Sequence, residues 1–356
     1  MTIAAPESSR KRLILHIGYP KTGTTTLQGA VFPNLSGVDY WGKPKRYGRI
    51  AGGDASVPGN VHGVLRAVSF EDSAGFAARR EALLDGLRRR VCANAAPAAV
   101  LSCEDLVRPV ASSQRVGAAV EPAAVAERLG ELFAHGLADL CDVHVLITLR
   151  RQCELVPSYY AQFAADDIAS GRYQGGFDNF VSLCCNGPNG PVPRFLSFAS
   201  VMAQYQELFG RDGVTVLPME GLFDPRDDWA RRNVADLVGE DLEALNARML
   251  GPAKRVKGQV SDGQADVKRY IAFREAIGLR GKLWHAIDWT VPKGPVKRRE
   301  SSAFARRFRK LGKRYRPQER FDVDDAVRAR ISTAFAETNR CLDRDLGLQL
   351  QRYEYY

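Results

Sequence analysis

Apolar residues recur along this chain with two different periods. Runs at Leu13–Gly18, Ala98–Ser102, Val143–Leu149 and Val214–Leu217 are short, β-branched or leucine-rich, and bounded by turn signals. That is the pattern of strands buried on both faces. Between them, Thr24–Phe32, Ala74–Ala93, Pro122–His135, Pro157–Ala169 and Pro193–Phe209 read as helices. Strands alternating with helices predict a parallel sheet with right-handed crossovers. The expected fold is therefore α/β: a three-layer αβα arrangement around a central parallel sheet, with helical insertions. Val327, Ile331, Phe335, Thr338 and Leu342 recur at helical spacing and predict a C-terminal helix packed on the body. Ile50–Asn60 and Gly171–Pro193 are rich in Gly, Asn and Pro and read as loops, which in α/β sheets often wall the site. Internal repeats are absent, and one domain spanning 1–356 is expected.

Composition narrows the class. The chain has 356 residues, 45% hydrophobic and 26% charged, enough to bury a sizeable core. A formal net charge of +10 points to anionic ligands or partners. The start, "MTIAAPESSRKR", lacks the apolar core of a secretory signal, and no run approaches the roughly 20 apolar residues of a membrane span. Seven scattered cysteines form neither a disulfide framework nor zinc-ligand spacing. A cytoplasmic protein without a metal is the expectation.

Chemistry enters with "LILHIGYPKTGTTTLQ", Leu13 to Gln28, which reads as strand, Gly/Thr turn and helix start. Gly18 and Gly23 keep the glycine spacing of the G-x-x-x-x-G-K-[ST] phosphate loop, but Thr24 stands in the lysine position and Lys21 precedes the second glycine. Backbone N–H groups from Thr22 to Thr26 can cradle one phosphate at the helix N-terminus, with Lys21 on the crest beside it. A nucleoside triphosphatase should also carry an acidic magnesium ligand after a later strand. Asp142 precedes its strand instead.

"PKTGTTTLQ", Pro20 to Gln28, resembles the 5′-phosphosulfate loop of sulfotransferases that use 3′-phosphoadenosine 5′-phosphosulfate (PAPS), especially bacterial members related to heparan-type enzymes. "VLITLRRQCELVPSYY" resembles the same family's 3′-phosphate motif: a strand ending in Arg150, with Ser158 eight residues on and Tyr159 and Tyr160 following. The physics of the residues agrees. An arginine at a strand's end can clamp a phosphate bidentately. Pro157 belongs near a helix start, which would put Ser158 at a dipole-favoured anion site. One position departs: the family usually has Pro two residues after the arginine, where this chain has Gln152.

The resemblance implies a P-loop-like fold, PAPS as co-substrate and no metal. It implies Lys21 at the leaving oxygen, Thr24 and Thr25 on the 5′-phosphate with Pro20, Thr22, Gly23 and Thr26 completing the loop, and Arg150 and Ser158 on the 3′-phosphate. Weaker likenesses run through "FASVMAQYQELFGRDGVTVLPMEGL" and "FAETNRCLDRDLGLQL". The acceptor hydroxyl needs a general base. Glu104 in "VLSCEDL" should emerge at the sheet's C-terminal edge, where α/β sites are built, and heparan-type relatives carry a catalytic Glu in a comparable setting; a capping or surface carboxylate is the bland reading. His62 in "GNVHGVL" is the rival base, against a plain exposed histidine at a loop or helix start. His16 and His144 read as core residues and His135 as surface.

Between Lys293 and Arg320, twelve Lys or Arg face two Glu. That segment reads as a solvated helix face, as a dock for an acidic saccharide acceptor, or as a contact with an anionic membrane beside a glycolipid acceptor. Lys254, Arg255 and Lys257 form a second cluster that could close over a nucleotide. The alternative class is a non-catalytic or kinase-like P-loop protein binding a nucleotide or nucleic acid. No helix-turn-helix, zinc or RNA-recognition signature is present, so no nucleic-acid partner is expected.

Overall fold

Period-two alternation decides the layers. In β1 (Lys11–His16), Leu13 and Leu15 belong to one core while Ile14 belongs to the other. Both cores are continuous with the neighbouring strands β2 (Val38–Tyr40), β3 (Ala98–Ser102), β4 (Cys141–Leu149) and β5 (Val214–Pro218). The five strands form one sheet in the order β2-β3-β1-β4-β5, and every neighbouring pair is parallel. The computed structural model describes residues 10–42, 61–107, 120–169, 175–186, 191–250, 264–268 and 318–356.

One face of the sheet carries helices Val61–Phe70, Ser73–Ala93, Pro122–Leu129, Gln152–Ala169, Phe198–Phe209 and Asp325–Leu346, packed around Leu15, Leu101, Val145 and Ile147. The other face is covered by the helical turns Leu27–Val31 and Phe32–Asn34 and by helices Trp229–Val238 and Leu242–Leu250, over Ile14, Val100, Leu146 and Leu217. Ile14 and Leu15 are fully buried, and each such side chain contributes roughly 1.5–3 kcal/mol on leaving water. The expected α/β architecture, with its parallel central sheet, helical insertions and C-terminal helix, is the one the chain adopts.

Several boundaries differ from the sequence reading. The edge strand β2 has only three residues, all half-buried. The stretch read as a loop at Gly171–Pro193 contains helix Phe177–Cys185, which buries Phe177, Phe180, Val181 and Cys184 at helical spacing. The expected helix Pro193–Phe209 is two helices, Pro191–Leu196 and Phe198–Phe209, with Ser197 between them outside the α region. In the C-terminal helix Asn339, not Thr338, takes the buried place beside Phe335 and Leu342. A separate antiparallel pair joins β6 (Gln264–Lys268) to β7 (Gln318–Asp322). The loop 50–60, the cluster at Lys254, Arg255 and Lys257, and the basic run from Lys293 lie outside the described residues, apart from the run's last three in β7. No helix among the described residues is long and apolar enough to cross a membrane.

Candidate active site

The loop after β1 is shaped by what cannot fit beside it. A Cβ on Gly18 would lie 2.0 Å from Thr148 Oγ1, so only glycine lets the chain pass over β4. Gly23, the N-cap of the helical segment Thr24–Thr26, has φ 77°, and a Cβ there would meet the Phe223 ring at 2.4 Å. Thr22 is fully buried. Its hydroxyl donates to the Tyr19 carbonyl at 2.5 Å and so accepts from Thr148 Oγ1 at 2.7 Å. Lys21, on the crest, has φ 69°, a left-handed conformation that costs a non-glycine residue about 1–2 kcal/mol. Strain held this way in a braced loop marks a place where geometry matters more than stability.

Beneath the loop lies a polar layer that alternation explains. His16 pairs in register with Ser102, and both fall on the same face of the sheet as Ile14 and Val100. His16 Nδ1 is 2.6 Å from Ser102 Oγ, and Gln28 Nε2 donates to Ser102 Oγ at 3.1 Å and to Glu104 Oε2 at 3.1 Å. Burial pushes His16 down to about 3, so it is neutral. Glu104 stands in the short turn Glu104–Leu106 just past β3, at the C-terminal edge of the sheet. Burial first, and the Arg150 guanidinium second, push the Lys21 ammonium below the ordinary lysine value, while the Glu104 carboxylate acts in the opposite direction. Three residues far apart in sequence are thus electrostatically coupled around one loop.

Arg150 follows the last residue of β4. Its Nη1 donates to the Lys21 carbonyl at 3.2 Å and its Nη2 to Glu154 Oε2 at 3.3 Å, while its Nε is buried with no partner among the described residues. Arg328, from the C-terminal helix, pairs with the other oxygen of Glu154. The neighbouring Arg151 donates its N–H to Glu220 at 3.2 Å and pairs with Glu354. Gln152 forms a reciprocal amide pair with Asn339, 3.1 and 3.0 Å, and Asn339 also donates to the Tyr355 carbonyl at 3.0 Å. At the position where the family resemblance leads one to expect proline, this chain therefore locks its arginine turn to the C-terminal helix.

The placement of Ser158 needs correcting. Its helix begins at Gln152, with Glu154 and Leu155 N–H groups on the Arg151 carbonyl, so Pro157 lies inside the helix and Ser158 in its second turn. Ser158 is buried and has no claim on the helix N-terminus. Thr26 is likewise not a free donor, because its N–H goes to the Gly23 carbonyl at 2.9 Å. Thr24 is buried and Thr25 exposed, and their N–H groups, in the first turn, have no acceptor within the helix. Pro20 is buried in the turn before Lys21. His62 belongs to the first turn of helix Val61–Phe70. Sequence reasoning missed Gln28, Ser102 and Thr148 as site-forming residues, although alternation along β1, β3 and β4 puts His16, Ser102 and Thr148 on one face. It also missed Glu154 and Arg328, for which no local pattern speaks.

Among the described residues, no group of three or more His, Cys, Asp or Glu is arranged to hold a metal ion. No protein-family model matches the chain, and no curated protein matches it. Among solved structures it is similar to a sulfotransferase from Alicyclobacillus acidocaldarius, at 15% identity over 65% of this chain and 81% of that one, with a TM-score of 0.37.

Proposed function

We propose that the chain is a sulfotransferase that moves a sulfuryl group from PAPS to a hydroxyl, with a carbohydrate or glycolipid as the acceptor class. The observation that carries this reading is the pair of cations at the loop. Lys21 and Arg150 are held close enough to penalise each other, Arg150 has a buried Nε without a partner among the described residues, and both adjoin a helix start whose first N–H groups have no acceptor within the helix. Such an arrangement is relieved by an anion, and a nucleotide with phosphates on both its 5′ and 3′ sides offers one to each cation. The residues present fit that ligand.

In this reading the donor supplies the sulfuryl group, whose S–O bond to the 5′-phosphate breaks as the acceptor oxygen bonds to sulfur. Lys21 gives a hydrogen bond to the oxygen that leaves, where negative charge develops. Glu104 takes the proton that the acceptor oxygen loses; His62 remains the second candidate for that proton. Thr24 and Thr25 offer first-turn N–H groups to the 5′-phosphate, and Arg150 offers its guanidinium to the 3′-phosphate.

Calorimetric titration with adenosine 3′,5′-bisphosphate, against adenosine 5′-monophosphate and ATP, tests the reading. Binding that needs the 3′-phosphate and no magnesium is the expected result. Arg150→Ala should weaken it by about ten- to hundredfold, since a hydrogen bond to a charged group is worth roughly 1.5–3 kcal/mol. A preference for ATP with magnesium would replace this proposal with the kinase-like one.

A further inference from the structure

Gln28 touches both the polar layer under the loop and the carboxylate beside Lys21. Its side chain is buried, at 7% exposure for the residue. Its amide nitrogen has two protons, and two acceptors lie at 3.1 Å, Ser102 Oγ and Glu104 Oε2. Ser102 Oγ accepts from Gln28 and also lies 2.6 Å from His16 Nδ1. Turning the amide over would set its carbonyl oxygen against the acceptor-only Glu104 carboxylate, so the carboxylate itself fixes which end of the amide faces it.

We propose that Gln28 is a positioning residue for the proton transfer: through Nε2 it holds the Glu104 carboxylate in one rotamer. The inference rests on the sulfuryl-transfer reading above. Gln28 contributes no atom to the reacting groups. Its N–H stabilises the charged carboxylate before the acceptor proton arrives, and its burial against Ser102 keeps the carboxylate from swinging away.

Gln28→Met tests this, because it keeps the length of the side chain and removes the N–H groups. The readouts are release of adenosine 3′,5′-bisphosphate from PAPS with a panel of sugar and lipid-linked hydroxyls, resolved into kcat and KM, and donor affinity by calorimetry. The expected variant binds the bisphosphate within twofold of the parent, keeps the acceptor KM, and turns over on the order of tenfold more slowly. In a Glu104→Gln background, where there is no carboxylate to hold, adding Gln28→Met should lower the residual turnover by less than twofold. A parental kcat in Gln28→Met, or a full loss that recurs in the Glu104→Gln background, would reduce Gln28 to a space-filler and overturn the proposal. Should Gln28→Met fail to fold, Gln28→Glu serves in the same cycle, and an additive loss again rejects the placement. A parent protein that releases no bisphosphate with any acceptor ends the sulfuryl-transfer reading and the role in proton transfer with it, whereas an additive cycle ends the positioning alone.

Discussion

The two ends of the central sheet carry similar residues and use them differently. At the N-terminal edge, Arg12 donates to the Asp236 and Leu237 carbonyls at 2.6 and 2.7 Å, closing the end of helix Trp229–Val238. Arg10 pairs with Asp142 at 3.2 Å, and His144 with Thr215 at 2.8 Å. Even the cavity of about 330 Å³ there is lined by Arg12, Asp142, His144 and Thr215, groups that already have partners. At the C-terminal edge, Lys21 sits in a left-handed conformation, its charge opposed by burial and by Arg150. Arg150 and His16 each keep a buried nitrogen unmatched among the described residues. A histidine, an arginine and a carboxylate at a strand end do not make a site. Unmatched buried nitrogens and a strained lysine around them do, and among these residues they gather at the C-terminal edge.

The largest expected effect breaks this comparison directly. Lys21→Ala should lower turnover by about 10²–10³-fold, the cost of removing one donor aimed at developing charge, with bisphosphate binding partly preserved. His144→Ala at the other edge should leave turnover within twofold. The same release assay with PAPS reads both. Comparable losses in the two variants would mean that the edges are not distinct in function.

A pair of glycines sharpens the comparison in stability. Gly23 and Gly239 both have positive φ, 77° and 68°. Gly239 ends helix Trp229–Val238 with nothing within 4 Å of a would-be Cβ, whereas at Gly23 the Phe223 ring stands at 2.4 Å. Gly239→Ala should cost about 1 kcal/mol of backbone strain. Gly23→Ala adds overpacking and should cost about 3 kcal/mol. Urea midpoints of the two variants check this, and equal losses would mean that Phe223 yields without cost.

How much of this was legible in the sequence follows from where each constraint originates. The four buried strands announce themselves as continuous apolar runs, and the loop as Gly18 and Gly23 around Lys21, because those constraints are local. Strand β2 escapes, since three half-buried residues make no run. Helix Phe177–Cys185 was masked by the Gly and Asn around it, although Phe177, Phe180, Val181 and Cys184 keep the helical period. Pro157 misled: its ring suits a helix start, but Arg151 caps six residues earlier and Gln152 is anchored from Asn339, 187 residues away. Contacts of that span leave no trace in spacing. Arg328 on Glu154, 174 residues apart, is invisible for the same reason.

The histidines give the smallest and most diagnostic effect. His16 lies under the loop, fully buried, and burial lowers it to about 3 from an ordinary 6.5. The unfolded chain therefore binds a proton between those values that the folded chain refuses. Stability contributed by the neutral form is whole above pH 6.5 and is lost as pH falls toward 3, by up to about 1.4 kcal/mol per pH unit. From pH 6.5 to pH 5 the loss is about 2 kcal/mol. His16→Gln should remove it, flattening the fall in urea-unfolding free energy across that window. His144, half-buried at the opposite edge, is also shifted down, by burial and then by Arg12, but its setting is more open, so His144→Gln should flatten the curve less. A curve unchanged by His16→Gln would mean that the folded protein accepts a proton on His16. Nδ1 would then donate to Ser102 Oγ, which can accept from both His16 and Gln28.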